Sequence, residues 1–352
     1  MKFGLNCFPC VGPAQKSGRR YFADTLRLIG QLDELGWSHV RQVEHYFEPY
    51  GGYSPNPLLF LTAASQRTLR ARLVTGAVLP AFNNPLKLAG EIGMLDAISD
   101  GRLDLGFARA FLPHEFAHFG VSLDESRRRF TEGVAQVKLL LERENVSAQG
   151  EFHSFRNVTS LPRPTQKPHP PIWIAAVGTP QSFAEAGRNG YALMAIPLDA
   201  KKMHELFGIY REAWRSAGHE GNGLVMNSFF MCCMPDRQAA LHAARGPIDE
   251  HLQGLVTGAR GWLEGASTKD YPNYDKFIAQ LSAESFDQQL EKGFAWVGTP
   301  KDCREMVVEY HRMVGGFEIA SLLAMPGSTP VETAEASMRL FASAVMPGLE
   351  TL

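Results

Sequence analysis

The sequence is poor in several features that mark particular classes of protein. Its 352 residues include only five cysteines, carry a formal net charge of −2 and contain no apolar run of membrane-spanning length. A transmembrane helix needs about 18 or more such residues, so we expect no membrane segment. The near-neutral charge and short basic runs argue against a nucleic-acid partner. The start, MKFGLNCFPC, lacks the apolar run of a signal peptide, which favours a cytoplasmic location.

The few cysteines fit neither a disulfide framework nor a metal site. Cys7 and Cys10 have C-x-x-C spacing, but they follow a predicted first strand, whereas a thioredoxin-type pair opens a helix inside a βαβ unit. The adjacent Cys232 and Cys233 have the wrong spacing for the second half of a zinc site. We therefore expect reduced thiols and no metal. The metalloprotease and serine-hydrolase motifs H-E-x-x-H and G-x-S-x-G are also absent.

What the chain does contain is a regular alternation of short apolar segments with segments of helical period. This alternation predicts βαβ architecture. The predicted strands are Lys2–Asn6, His39–Val43, Leu73–Leu79, Leu103–Ala108, Ile172–Val177, Ala192–Ile196, Val225–Cys232 and Ile319–Met325. Eight such units in a chain of this length are typical of a TIM barrel, and we expect one α/β domain over residues 1–352.

Two segments interrupt the alternation. Residues 144–171 are polar and proline-rich and predict a small hairpin followed by a lid. Residues 250–295 are glycine-rich with scattered aromatic residues and predict a long irregular insertion, of the kind that often has a functional role. A Rossmann fold is disfavoured because no G-x-G-x-x-G follows the first strand.

Chemistry in such a barrel collects at the carboxyl ends of the strands. The second strand ends in Glu44 and His45, and Arg109 follows the fourth. A lone histidine is more often structural, but this position makes a functional role for His45 equally reasonable. A fixed arginine at a strand end suits a phosphate or carboxylate ligand, and an ion pair with a core carboxylate such as Glu44 explains it equally well.

The segment Val177-Gly178-Thr179-Pro180 follows the fifth strand and predicts a strand-to-helix turn. Thr179 suits the N-cap position and proline the first helical turn, so free backbone N–H groups point out of the barrel. Gly178 permits close approach, and Thr179 and Ser182 add hydroxyls, which together resemble a phosphate cradle. The same four residue types recur at Val297 to Pro300, and spacing alone leaves open whether either copy is more than a good helix start.

Several stretches resemble the bacterial luciferase-like flavin-dependent monooxygenases. They are MKFGLNCF, VEHYF, TGAVLPAFNNP, ISDGRLDLGFARAFLPHEFAHFG and the terminal WVGTP and SMRLFASAVMPGL. The match runs from Met1 to Leu349 and is specific to the superfamily rather than to a substrate. It implies a TIM barrel that binds reduced FMN (FMNH2), whose reaction with O2 gives a C4a-peroxyflavin that oxygenates an organic substrate.

The resemblance also implies roles for individual residues. His45 corresponds to the family's catalytic histidine and Glu115 to the acidic residue that supports it. Arg109 corresponds to the arginine that contacts the FMN phosphate. A non-prolyl cis peptide beneath the flavin ring corresponds to Thr75-Gly76.

The rest of the implied cofactor site lies after the fourth and fifth strands. Val177, Gly178, Thr179 and Ser182 correspond to the phosphate turn, which favours the first Val-Gly-Thr-Pro copy over the second. Ala108 stands where the luciferases have a reactive cysteine near the flavin. Val177 and Gly178 replace a carboxylate–serine pair, which removes one side-chain contact to the phosphate. These departures argue against light emission and long aldehyde substrates.

The expected function is therefore a two-component monooxygenase that receives FMNH2 from a separate NAD(P)H:flavin reductase, because no NAD(P)H motif is visible. Its substrate would be a small or carrier-tethered aldehyde or ketone, oxygenated in an apolar pocket closed from water. Two alternatives stay open: an oxidoreductase using deazaflavin F420, and a non-catalytic flavin-binding subunit. A homodimer is expected from the resemblance of residues 20–35 and 85–98 to the family's dimer face.

Overall fold

The computed structural model describes residues 1–352. The strands are β1 (Lys2–Cys7), β2 (His39–Gln42), β3 (Arg72–Thr75), β4 (Leu103–Phe107), β5 (Val146–Gln149), β6 (Ser154–Val158), β7 (Ile172–Ala176), β8 (Ala192–Ala195), β9 (Val225–Cys233), β10 (Ala295–Gly298) and β11 (Ile319–Leu323). The helices are α1 (Gly18–Ile29), α2 (Pro57–Ser65), α3 (Pro85–Ile98), α4 (Pro113–Phe119), α5 (Ser126–Glu142), α6 (Pro180–Arg188), α7 (Ala200–Ser216), α8 (Arg237–Gly258), α9 (Tyr274–Leu281), α10 (Phe286–Glu291), α11 (Pro300–Met313) and α12 (Val331–Ala344).

Eight parallel strands close into a barrel in the order β1, β2, β3, β4, β7, β8, β9 and β11, and β11 pairs with β1. Closure is achieved because β9 pairs with both β8 and β11. Nearly every position of the strands is buried, including the polar residues of β2, because helices cover their outer face and side chains fill the interior. The predicted TIM barrel is confirmed, and every predicted strand is one of its eight. None of its helices combines the length and apolar character needed to span a bilayer.

Two strand predictions needed correction. The third strand was expected to reach Leu79, but β3 ends at Thr75, and Val78 rejoins the sheet only through a single bridge to Phe107. The chain then turns into a short 3₁₀ helix, which carries these residues over the barrel mouth. The additional strand β10 was not predicted. It has only four residues and pairs only with the carboxyl-terminal half of β9, so it gives a weak sequence signal.

The two insertions differ in how well they were predicted. The hairpin expected within residues 144–171 is present as antiparallel β5 and β6. The prediction of irregular structure over residues 250–295 is wrong for most of that segment, which contains the end of α8, then α9, α10 and the start of β10. Packing explains the difference, because Ile248 and Leu252 of α8 join a buried cluster with Ala295 and Val297 of β10. Tertiary burial of this kind outweighs the low helix propensity of Pro247 and the glycines.

Candidate active site

A cleft of about 1080 Å³ opens at the carboxyl ends of the strands. Its walls are mainly apolar, and the groups in it that can carry chemistry are His45, Glu44, Arg41, Arg109, Thr179 and Ser182. One side of the cleft is lined by Leu255 of α8 and by side chains from residues 259–281. The segment of residues 259–281 is hereafter called the lid. A mainly apolar cavity with a few convergent polar groups is the usual form of a small-molecule site.

His45 follows β2 and is fixed by Glu115 in the first turn of α4. Its Nδ1 lies 3.0 Å from Glu115 Oε1, and the backbone N–H of Tyr46 donates to the same oxygen at 2.9 Å. Glu115 is fully buried and does not itself reach the cleft. Because the carboxylate accepts at Nδ1, it favours the tautomer whose Nε2 is free to face the cleft.

The imidazole is also held by packing. Its ring centroid lies 5.7 Å from that of Phe8, 5.4 Å from that of Tyr50 and 6.0 Å from that of Phe111. Gly51 has a φ of +79°, and a Cβ there would approach His45 Cβ to 2.4 Å. The glycine turn after the second strand is therefore part of what positions the imidazole.

Glu44 is buried behind the histidine and serves a different purpose. It accepts hydrogen bonds from the backbone N–H of Leu79 and from Asn83 Nδ2, both at 3.0 Å, and from the Tyr46 hydroxyl. Burial raises the pKa of its carboxyl to about 7. Glu44 does not pair with Arg109, so the ion pair considered from the sequence is absent.

Arg109 lies at the rim, just after β4, and its neighbours are in the lid. Its Nη1 donates to the backbone carbonyl of Asp270 at 3.1 Å, and its guanidinium lies 4.5 Å from the centroid of the Tyr271 ring. No carboxylate lies within ion-pair distance of Arg109. The cation is thus oriented by neutral contacts and keeps its charge available to a ligand in the cleft.

The turn before α6 lies in the same cleft as Arg109. Thr179 occupies the N-cap position, but its side chain makes no capping hydrogen bond, and Ser182 stands at the third helical position. The second Val-Gly-Thr-Pro copy differs, because Thr299 and Asp302 form a reciprocal capping box at the start of α11. The two helix starts therefore have different uses: α11 satisfies its own N-terminus, whereas that of α6 is left open beside Thr179 and Ser182.

Small residues form the part of the cleft beneath these groups. Gly76, Ala77 and Ala108 line it together with Val177. The non-prolyl cis peptide lies at Gly76-Ala77, so the prediction of Thr75-Gly76 was wrong by one bond. Thr75 is buried beneath, where its hydroxyl accepts from Gly106 N at 2.7 Å and donates to Gly106 O at 2.9 Å.

One predicted residue does not line the cleft, and several lining residues were not predicted. Gly178 is at the bend of the α6 turn, where a Cβ would lie 3.3 Å from Leu198, and it does not line the cleft. Six residues that line the cleft were not predicted from the sequence: Tyr50, Leu255 and the lid residues Tyr271, Tyr274, Phe277 and Leu281. The scattered aromatics of residues 250–295 were the one available signal for the lid.

A second cavity of about 840 Å³ adjoins the cleft on the side of β9 and β11. The two share a wall of Phe8, Arg41, Tyr50, Ile196, Leu255 and Leu281. No cluster of three or more His, Cys, Asp or Glu side chains is arranged to hold a metal ion.

An eight-stranded α/β barrel with polar groups gathered around one apolar cleft is typical of an enzyme that acts on a small organic molecule. The match of residues 1–315 to the model of the luciferase-like monooxygenase family is more specific. The chain belongs to that family and is an oxidoreductase of its class.

Three known proteins resemble the chain over different shares of their length. The crystal structure of monooxygenase RslO1 from Streptomyces bottropensis is similar at a TM-score of 0.89 and 42% identity, covering 99% of each chain. An uncharacterized protein, y4wF, from Sinorhizobium fredii is 39% identical over 89% of this chain and 87% of its own length. The oxygenase component of a flavin-dependent trigonelline monooxygenase from Acinetobacter baylyi is 32% identical over 56% of each.

Proposed function

We propose that this protein is the oxygenase component of a two-component monooxygenase that binds reduced FMN at the barrel mouth. With O2 it would oxygenate a small or carrier-tethered organic substrate of aldehyde or ketone type. The observation that carries this proposal is that Arg109, the open α6 turn and the His45–Glu115 pair line or border one apolar cleft.

The residues present fit FMN. Arg109 and the N-terminus of α6, with the hydroxyls of Thr179 and Ser182, would hold the dianionic phosphate, because backbone N–H groups and a guanidinium are its preferred partners. Gly76, Ala77 and Ala108 lack the bulk that would keep a flat ring system off the floor.

The catalytic part is assigned to His45. Bound reduced FMN would supply the electrons for the reaction with O2. His45 would donate or accept a proton through Nε2 while Glu115 holds Nδ1–H. The lid side chains Tyr271, Tyr274 and Phe277 would exclude water from the same space.

The electrons would come from a separate NAD(P)H:flavin reductase. Two observations support this partner: the chain has no recognisable NAD(P)H-binding motif, and the 32% identical trigonelline monooxygenase relative is itself named an oxygenase component. We also propose a homodimer, because α3 leaves Met94 and Ile98 exposed at 55% and 41%.

The experiment that tests the cofactor compares FMN with riboflavin, which lacks the phosphate. Reduced FMN should raise the melting temperature of the wild type, since a ligand that binds only the folded state stabilises it. Arg109→Gln should weaken reduced FMN binding roughly 10- to 100-fold, the effect of losing a charged hydrogen-bond donor, and leave riboflavin binding unchanged.

The matched control is Arg188→Gln, because Arg188 carries the same charge in the last turn of α6, away from Thr179 and Ser182, and does not line the cleft. Equal weakening of riboflavin and FMN by Arg109→Gln would contradict a phosphate role for Arg109. Tighter binding of F420 than of reduced FMN would instead favour the F420-dependent alternative.

A further inference from the structure

Arg41 is the only arginine or lysine side chain buried in the protein, with 7% of its surface exposed. It lies in the interior of the barrel on β2 and lines both the cleft and the second cavity. Its Nη1 donates to the Ser228 hydroxyl and its Nη2 to the carbonyl of Gly76 at 3.2 Å, while Nε has no partner. Two of its five N–H donors are thus satisfied by neutral oxygens.

No carboxylate neutralises this cation. The buried carboxylates have other partners: Asp24 pairs with Lys16 and Arg20, Asp104 with Arg72, Glu115 with His45 and Glu44 with Leu79 and Asn83, while Asp96 accepts from Gln166. Burying a charge without a counter-ion is unfavourable, because no ion pair offsets its loss of hydration. Burial lowers the pKa of Arg41 to about 10, so the guanidinium remains protonated at neutral pH.

The other polar groups of the second cavity are neutral or already paired. Burial lowers the pKa of His251 to about 3, so its imidazole is uncharged at neutral pH. Asn6 and Ser228 contribute neutral oxygens, and Glu284 at the rim forms an ion pair with Lys292. The cavity therefore carries a net positive charge at Arg41, while Phe8, Phe230 and Phe294 supply apolar aromatic walls.

Gly76 shows that the barrel is built to admit this side chain. A Cβ at Gly76 would lie 2.1 Å from Arg41 Nε, so any other residue would displace the guanidinium. The same glycine forms part of the floor on which the proposed cofactor would rest. Arg41 consequently lies where the cleft and the second cavity meet.

We propose that the second cavity binds the organic substrate and that this substrate carries an oxyanion, such as a carboxylate or phenolate, which lies against Arg41. The apolar body of the substrate would occupy the aromatic part of the cavity, with its reacting carbon toward the cleft. The proposal that the bound anion is the substrate of an oxygenation rests on the proposed function. The proposal that an anion binds at Arg41 does not, because it depends only on the geometry around Arg41.

The test uses 2-naphthoate and its neutral analogue 2-naphthamide as probes, with binding measured by calorimetry. The wild type should bind 2-naphthoate roughly 10- to 100-fold more tightly than 2-naphthamide, the range expected for a desolvated charged hydrogen bond. Arg41→Met should abolish this preference while 2-naphthamide binding changes little. Arg41→Lys, which keeps the charge, should retain the preference in weaker form and covers the case in which Arg41→Met does not fold.

The possible outcomes separate the two proposals. The anion site is overturned if the wild type does not bind 2-naphthoate more tightly than 2-naphthamide. It is also overturned if Arg41→Met or Arg41→Lys weakens the binding of reduced FMN as much as the binding of 2-naphthoate, since Arg41 would then serve the cofactor. If reduced FMN fails to bind the wild type but the preference for 2-naphthoate persists and depends on Arg41, the proposed function fails and the anion site stands.

Discussion

His45 and Glu115 show how a residue's chemistry depends on contacts that are distant in sequence. They are 70 positions apart, yet one carboxylate oxygen accepts from both the imidazole and the Tyr46 backbone. His45 lines the cleft and Glu115 does not, so under the proposed function His45 would act on the substrate and Glu115 would position the imidazole. Variants of the two residues should therefore give different kinetic behaviour.

We predict that His45→Ala lowers kcat by on the order of 10²–10⁴-fold, the usual contribution of a general acid or base, with reduced FMN affinity unchanged. The measurement is conversion of whichever aldehyde or ketone the wild type oxygenates, with reductase-supplied FMNH2. Added imidazole should restore part of the lost rate. Full turnover in His45→Ala would show that His45 is not the catalytic acid or base.

Glu115→Gln should have a smaller effect and should change the pH dependence of kcat/KM. A glutamine oxygen can still accept from both Tyr46 N and Nδ1–H, but it carries no negative charge to stabilise a protonated imidazole. A variant whose pH profile matches that of the wild type would show that the charge of Glu115 does not act on the imidazole.

At the scale of elements, α6 and α11 start with the same Val-Gly-Thr-Pro segment and differ at the third helical position. Asp302 caps α11, and Ser182 leaves the start of α6 open. A carboxylate at that position satisfies the N-terminal N–H groups from within the chain, so it competes with a bound phosphate. The residue at the third helical position thus decides whether a side chain of the same helix occupies the N-terminal donors.

We predict that Ser182→Asp weakens reduced FMN binding at least about tenfold, because the new carboxylate repels the phosphate and occupies its donors. The folded state should be as stable as the wild type or more so. The matched control, Asp302→Ser, should cost about 0.5–2 kcal/mol of unfolding free energy and leave FMN affinity unchanged. Thermal unfolding with and without FMN measures both. Unaltered FMN affinity in Ser182→Asp would rule out the α6 turn as the phosphate site.

At the scale of the whole molecule, buried histidines make the folded state sensitive to acid. Burial lowers the pKa of His251 from 6.5 to about 3. The unfolded chain takes up this proton near pH 6.5 and the folded chain does not, so acidification from about pH 6.5 toward 3 favours unfolding. Glu44 acts in the opposite direction, since its raised pKa removes stability as the pH rises from 4.5 to about 7.

We predict that His251→Phe reduces the loss of stability between pH 6.5 and 4, because phenylalanine cannot take up the proton and keeps the packing against Phe8 and Phe230. Urea unfolding at a series of pH values measures the slope. Substitution of the exposed His242 by asparagine is the control and should leave the slope as in the wild type. An unchanged slope in His251→Phe would show that His251 is protonated equally in both states.

The proposed homodimer is also a property of the whole molecule. Met94 is exposed on α3, and a charge placed at the centre of an apolar contact destabilises the complex. Met94→Glu should therefore yield a monomer by light scattering, whereas Leu224→Glu, at an exposed apolar residue just before β9, should leave the assembly unchanged. A wild type that is monomeric at micromolar concentration would contradict the proposal.

The sequence by itself determined the barrel and most of the groups at its mouth. Apolar strands and amphipathic helices are local patterns, so all eight barrel strands were found, and His45 and Arg109 could be located because strand ends follow from strand positions. The resemblance to the luciferase-like monooxygenases supplied Glu115 and the choice between the two Val-Gly-Thr-Pro copies.

Only the tertiary structure decided which of these groups share a space and which are already satisfied. It showed that Glu44 bonds to Leu79 and Asn83 and not to Arg109. It also showed that residues 250–295 contain the end of α8, α9 and α10, and that Arg41 is buried without a counter-ion. These features depend on contacts between residues far apart in the chain, and no local pattern specifies whether a buried charge meets a partner when the barrel closes.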